Sequence, residues 1–334
     1  MKSVIRQDKA LNRWVIFSTL RGKRPHEFKK KTKRAKSLPE YDLHCPFCPG
    51  NEHMLDEILL QDAGDNSYGW QTRVVPNKYP ALLPEGNTHR REEGIYLSMD
   101  GYGRHEVIIE SPGHRRQIAL LPPEAVRKVI EVYHRRYVQL METNENSFVV
   151  IFRNHGPGAG TSLIHPHSQI IATGIVPGYV RFREDQAQRY YDTWGRCVYC
   201  EMLAFEAQEG TRVLEENDTF LAFIPFAAEV PFEIWILPKC HQADFGTITE
   251  TEKDRLAEMM GRLLKNVYEK LNDPDYNYII RTAPRYKSGE PHLHWFLQIR
   301  PRLTMQAGFE IGSGISINPS LPEQDAEYLR SASA

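Results

Sequence analysis

Apolar residues recur at helical spacing in two long stretches of this chain. In the first, Val126, Val129, Ile130, Tyr133, Tyr137 and Leu140 share one face of a segment that opens at Leu121-Pro122-Pro123-Glu124 and runs to about Glu142. The second spans residues 249–271, with Leu256, Met259, Met260, Leu263, Leu264, Val267 and Leu271 as its stripe, and Thr249 with Glu252 forms a capping box at its start. Short apolar runs surround both helices. Residues 74–80, 106–110 and 148–152 read as strands around the first, and residues 220–224, 232–237, 276–280 and 293–299 around the second. Strands, one helix, then strands, twice over, predict an α+β chain of two similar halves. Short links make the sheets mostly antiparallel. The halves are expected at residues 1–176 and 195–334, joined by a polar, Arg-rich linker at 177–194. Residues 308–319 read as an ordered loop or arm.

Composition narrows the class. The 334 residues suit about two domains. Lys plus Arg number 42 against 43 acids, so no global field draws the chain to nucleic acid or an anionic membrane. Arg6, Asp8, Lys9 and Arg13 interrupt any apolar leader at the start. The most apolar stretch, residues 220–238, carries Glu229, Glu233 and three prolines, which excludes a membrane span. Four of the five cysteines stand in Cys-x-x-Cys pairs, which fits metal binding in a reducing compartment better than disulfides; a cytoplasmic protein is expected. The basic run from Lys29 to Lys36 lacks interleaved aromatics and reads as a solvated loop rather than a nucleic-acid patch.

The chemistry lies in a doubled pattern. Cys45 and Cys48 are followed by His114 and by His165-Pro166-His167; Cys197 and Cys200 are followed by His241 and by His292-Leu293-His294. In both sets 51 residues separate the lone His from the first His of His-x-His. Two thiolates and two imidazoles complete one tetrahedral Zn²⁺ set, so the expected ligands are Cys45, Cys48, His114 and His165, then Cys197, Cys200, His241 and His292. A competing second set is Glu184, His292 and His294. Cys₂His₂ leaves no open position, which makes the metals structural, with His167 and His294 left over.

These two histidines differ in setting. Asn154-His155-Gly156-Pro157-Gly158-Ala159-Gly160-Thr161-Ser162 leads a buried strand into His165. Its glycines let backbone N–H groups approach anionic oxygens, and Asn154, Thr161 and Ser162 add neutral donors. His167, two residues from an anchored ligand, is the candidate nucleophile for an α-phosphorus, and the Gln169 amide a hydrogen-bond donor to a phosphoryl oxygen. After His294 stand Trp295 and Phe296, and the preceding loop has one glycine. One active site per chain is expected, with His294 a core or supporting histidine. His105 and the other scattered histidines read as surface or packing residues, and His155 as a neighbour of the loop.

Cys45-Pro-Phe-Cys48, Ser111-Pro-Gly-His114, residues 154–162 and His165-Pro-His167-Ser-Gln169 resemble the galactose-1-phosphate uridylyltransferase family of the histidine triad superfamily, over residues 13–317. The resemblance implies a duplicated histidine-triad-like fold and a ping-pong exchange. His167 would take UMP from UDP-glucose, release glucose 1-phosphate, and pass UMP to galactose 1-phosphate. It further implies phosphate or nucleotide contacts at Arg21 and Arg24, a base and ribose pocket at Asn77, and a phosphate loop at Asn154, Gly160 and Ser162. Gln306, Gly308, Phe309 and Glu310 would form a sugar-contacting segment lent by the second subunit of a homodimer. Ser168, where many members carry Gly, and the Ala307-Gly-Phe-Glu-Ile311 tail also resemble the ADP-glucose phosphorylase branch, which transfers AMP to phosphate. Some members hold iron in the second metal site. A dinucleotide hydrolase and a zinc-scaffolded nucleic-acid-binding protein are the further alternatives.

Overall fold

The computed structural model describes residues 3–20, 39–64 and 66–331. An N-terminal ribbon pairs β1 (Val4–Asp8) with β2 (Arg13–Phe17). The first half then supplies β3 (Leu60–Ala63), β4 (Trp70–Pro76), a small hairpin of β5 (Arg91–Glu93) and β6 (Tyr96–Ser98), β7 (Gly103–Ile109), α1 (Pro123–Glu142), β8 (Phe148–His155) and β9 (His167–Thr173). Helices α2 (Gly178–Trp194) and α3 (Val198–Glu209) follow, so the expected linker at 177–194 is largely helical. The second half adds β10 (Val213–Glu216), β11 (Phe220–Phe223), β12 (Ile234–Pro238), α4 (Glu250–Lys270), β13 (Tyr276–Arg281) and β14 (Phe296–Pro301). The tail, read as a loop or arm, forms α5 (Gly308–Ser313), β15 (Ser316–Asn318), which pairs in parallel with β2, and α6 (Pro322–Arg330).

Ten strands form one antiparallel sheet in the order β10-β11-β12-β14-β13-β8-β9-β7-β4-β3. Reading outward from its centre, each half repeats the same order, and β8 and β13 pair across the junction with Tyr278 opposite Arg153. The halves are therefore two copies of one unit sharing a single sheet.

Period-two alternation assigns the faces. Val74, Ile108, Ile151, Ile170, Ile236, Ile280, Leu297 and Ile299 point to one side, where α1 and α4 cover them with Val126, Val129, Ile130, Leu256, Met260 and Leu263. Both helices carry the apolar stripes expected from the sequence, and Thr249 with Glu252 forms the capping box of α4. Each buried Leu or Met here is worth about 2–5 kcal/mol against Ala. The alternate residues Val75, Val107 and Ile109 in one half, and Trp235, Leu237 and Phe296 in the other, face away from the helices. Both cysteine pairs lie on that second face, and so do His167 and Gln169, which alternate with Ser168 and Ile170 along β9.

Candidate active site

Cys45, Cys48, His114 and His165 converge, all buried, with one ligand atom of each within 4.8 Å of the others. Cys48 Sγ lies 3.3 Å from His114 Nδ1 and 3.6 Å from His165 Nδ1. Tetrahedral bonds of about 2.3 Å to sulfur and 2.0 Å to nitrogen would separate such atoms by about 3.5 Å. His165 Nε2 bonds the Ser111 carbonyl at 2.8 Å, which puts the proton there and leaves Nδ1 as the lone pair aimed at the thiols. The donor set fits a resident tetrahedral cation.

The second cluster corrects the expected ligand set. Cys197, Cys200 and His241 are joined by His294, and not by His292. Strand β14 starts at Phe296 rather than near Leu293, which carries His294 to the ligand position. Its Nδ1 stands 3.5 Å from Cys200 Sγ and its Nε2 bonds the Pro238 carbonyl at 3.0 Å. That carbonyl lies three residues before His241, as Ser111 lies three before His114. His165 and His294 are therefore structural counterparts, and the matched 51-residue spacing pairs the wrong histidines. His292 is buried beside Tyr191 and 3.7 Å from Glu290 Oε2. Glu184 bonds Tyr286 and takes no part in the cluster.

His167 opens β9 one step beyond the first cluster. Its Nδ1–H donates to the His165 carbonyl at 2.8 Å, so Nε2 carries the lone pair. Burial pushes its pKa below the ordinary histidine value, against the pull of that carbonyl, which favours the neutral ring at pH 7. Phe47 packs against it with ring centroids 5.5 Å apart. Two cavities meet at this imidazole. The larger, about 580 Å³, is lined by Phe47, Leu55, Asn77, Asn154, Gly160, Ser162 and Gln169. The smaller, about 210 Å³, lies behind the loop against Arg115, Gln117, His155, Thr161 and Asp273.

His105, read from sequence as a surface or packing residue, orients Gln169. Its Nδ1 accepts the Ala81 N–H at 3.1 Å, so Nε2 carries the proton and donates to Gln169 Oε1 at 2.8 Å. The Gln169 amide N–H groups are thereby turned to the cavity. Asn77 lies 3.1 Å from the same ring nitrogen. The signal was present: along β7, His105 shares the face of Val107, which registers opposite Gln169.

Beneath His167 lies a buried ion pair that sequence reading also missed. Arg153 Nε donates to Glu110 Oε1 at 2.8 Å, and both side chains are at most 2% exposed. Ser168 donates to the same carboxylate and contacts Tyr133 of α1, and Arg153 also donates to Tyr276 at 2.7 Å. These bonds tie β7, β8, β9, β13 and α1 into one support under His167.

The glycine loop behaves differently from expectation. Four consecutive N–H groups are already committed. Gly158 donates to Asp275 Oδ2 at 2.5 Å, Ala159 and Thr161 to the Gly156 carbonyl at 3.0 and 3.4 Å, and Gly160 to the Pro157 carbonyl at 3.1 Å. The loop closes on itself as a 3₁₀ turn instead of offering a backbone cradle. Donors toward the cavity are side chains: exposed Ser162, the amide of Asn154, whose Oδ1 is held by Asn277 at 2.8 Å, and Gln169. Thr161 turns its hydroxyl to the Leu163 carbonyl at 3.1 Å. Gln306, Gly308 and Phe309 are exposed, and with Glu310 they line neither cavity of their own chain. Arg21, Arg24 and the run from Lys29 to Lys36 lie outside the described residues.

The equivalent face of the second half is nearly closed among the described residues. Strand pairing puts Phe296 at the position of His167 and Gln298 at that of Gln169. Asp8, Leu11, Tyr179 and Arg183 pack onto this face, leaving about 10 Å³. Among the described residues no helix is long and apolar enough to cross a membrane.

Comparison with known proteins accords with this geometry. The profile described as galactose-1-phosphate uridyl transferase, N-terminal domain, matches residues 1–177, and that of the C-terminal domain matches residues 183–332. ADP-glucose phosphorylase of Arabidopsis thaliana is 37% identical over 98% of this chain and 93% of its own length. Galactose-1-phosphate uridylyltransferase of Thermotoga maritima is 27% identical over 98% and 97%. A crystal structure of an ADP-glucose phosphorylase from Arabidopsis thaliana with bound ADP-glucose superposes with a TM-score of 0.85 at 35% identity, covering 100% of this chain and 99% of that one. Fold, ligand clusters and full-length likeness agree: the chain is an enzyme of the galactose-1-phosphate uridyl transferase family.

Proposed function

We propose that this enzyme transfers a nucleotidyl group from a nucleoside diphosphate sugar through a covalent intermediate on His167, and that the transferred group is adenylyl. His167 Nε2 attacks the α-phosphorus of ADP-glucose. The bond to the bridging oxygen breaks, and glucose 1-phosphate leaves with that oxygen and its electron pair. Inorganic phosphate then attacks the same phosphorus, giving ADP and freeing His167. The observation that carries this reading is the imidazole itself, with Nδ1–H fixed on a backbone carbonyl and its lone pair at the junction of two cavities. Gln169, Ser162 and Asn154 supply neutral donors for charge on the transferred phosphoryl group. Both clusters would hold structural Zn²⁺, and the ion of the first would fix His165 and, through its carbonyl, the ring of His167. The segment from Gln306 to Glu310 serves the second subunit of a homodimer.

Preference for adenylyl rests on the greater likeness to the Arabidopsis ADP-glucose phosphorylase. A second reading is uridylyl transfer from UDP-glucose to galactose 1-phosphate, favoured by the family profiles and the Thermotoga relative. Incubation with ADP-glucose or UDP-glucose labelled at the α-phosphate separates them. Acid-labile label on His167 from ADP-glucose is expected, chased by phosphate. Label from UDP-glucose alone selects the second reading, and folded protein that takes label from neither defeats both.

A further inference from the structure

We propose that Asp275, assisted by Asp273, is a positioning residue for nucleotidyl transfer: the C-terminal half, which lacks a nucleophile of its own, holds the glycine loop of the N-terminal half in its working shape. The clamp forms where α4 gives way to β13. Asn272 and Asp273 both adopt left-handed backbone, φ 59° and 53°, a conformation that Asn and Asp tolerate better than most residues. The Asp273 N–H is held by the Tyr268 carbonyl at 2.8 Å, so this turn is fixed from behind.

Three side chains, those of Asp273, Asp275 and Asn277, reach into the other half. Asp273 Oδ1 accepts from His155 Nε2 at 2.8 Å and from Gln117 Nε2 at 3.2 Å. Asp275 Oδ2 accepts the Gly158 N–H at 2.5 Å, a charge-assisted bond. Asn277 Nδ2 donates to Asn154 Oδ1 at 2.8 Å and to the Ala159 carbonyl at 2.9 Å, while Arg302 holds Asn277 Oδ1 at 2.6 Å. His155, Gly158, Ala159 and Asn154 are thus held in one shape by a single turn of the second half. The contact explains the glycine as well: a Cβ at residue 158 would stand 2.5 Å from Asp275 Oδ2. A merely solvated loop would need neither the carboxylate nor this close approach. Because Asn154 and Ser162 flank the turn, its shape sets where their donors stand relative to His167.

The consequence for rate rests on the transfer reaction proposed above; the consequence for loop order does not. Hydrogen exchange of the peptide covering residues 156–163 reads loop order directly. Asp275→Ala is expected to raise exchange there at least about tenfold, with metal content and melting temperature unchanged. In single turnover it should slow release of sugar 1-phosphate by about 10–100-fold while the Kd for nucleotide sugar moves less than about threefold. Asp275→Asn, which keeps an acceptor oxygen, should recover most of the rate. Gly158→Ala alone should be as slow or slower, and adding Asp275→Ala should cost nothing further, because the variants break the same contact. Wild-type exchange in Asp275→Ala, or additive losses in the double variant, would overturn the proposal. If the wild-type enzyme labels from neither nucleotide sugar, the reaction assignment fails, and the exchange comparison alone then decides whether the clamp orders the loop.

Discussion

The two His-x-His regions began as one sequence pattern and ended as different machinery. In both halves an imidazole donates Nε2–H to a carbonyl three residues before the lone histidine and turns Nδ1 to a cysteine pair. In the first half that residue is the leading His of the motif, which leaves His167 at the mouth of two cavities. In the second it is the trailing His, so Phe296 stands at the position of His167 and the N-terminal ribbon with α2 fills the space in front of it. A difference of two residues in where β9 and β14 begin converts a spare imidazole into a ligand. Both halves keep a Cys₂His₂ cluster that could hold a metal ion, whereas only the first keeps an open cavity beside it.

The largest effect that tests this contrast is on chemistry. His167→Gly should reduce transfer by roughly 10³-fold or more, the scale seen when a covalent nucleophile is removed, while both metals stay bound. The reciprocal change, Phe296→His, should create no second labelled site, because Asp8, Leu11, Tyr179 and Arg183 occupy that face. Label on a histidine introduced at 296 would mean that the second half is only one residue from activity. The asymmetry would then lie in the side chain rather than in the plug.

Metal content tests the register. His294→Ala should release one equivalent of zinc and lower the melting temperature by on the order of 10 °C, whereas His292→Ala should retain both equivalents. Equal metal loss from the two variants would restore the sequence-based assignment. Cys45→Ser should likewise release one equivalent, and should also slow transfer, since the His165 carbonyl orients His167. Cys197→Ser should leave the rate per folded molecule near normal.

Much of this was legible in the chain and some was not, for identifiable reasons. Both amphipathic helices, the capping box and the cysteine pairs depend on local periodicity, and they appear where expected. Where β14 begins depends on tertiary contacts: Trp295 is pinned by Gln242 through its backbone N–H and its indole, both at 2.8 Å, outside the ladder. No spacing count contains that information. The loop N–H groups were misjudged as well: that of Gly158 goes to Asp275, more than a hundred residues away in the other half, and the next three turn back on the Gly156 and Pro157 carbonyls. His105 was recoverable only with the strand register in hand.

The polar support under His167 offers a third comparison. Arg153 and Ser168 occupy the positions that Ile280 and Leu297 hold in the second half, so a charged network stands where the other copy has ordinary apolar core. Glu110→Gln would leave Arg153 buried without its counter-charge and should cost about 3–5 kcal/mol in denaturant unfolding. Leu297→Ala should cost a similar amount, about 2–5 kcal/mol. The two should part company in turnover: only Glu110→Gln should also reduce the rate per folded molecule. A loss of rate in both would show that the support under His167 acts through general stability.

The smallest effect concerns the plug of the second half. Burial raises the Asp8 carboxyl from 3.8 to about 7, with Glu229 and Glu233 adding to it and the N–H groups of Ala10 and Leu11 opposing. Below about pH 4 the carboxyl is protonated in both folded and unfolded chains. Between about 4 and 7 the unfolded chain has released this proton and the folded one has not, so stability falls as pH rises through that window. Asp8→Asn keeps an oxygen to accept from Ala10 and Leu11, now at 2.9 and 3.3 Å, but cannot ionise. Its melting temperature should therefore fall less than that of the wild type between pH 5 and 7.5, by a few degrees. Parallel curves would mean that Asp8 ionises freely in the folded protein, and hence that the second-half face admits solvent.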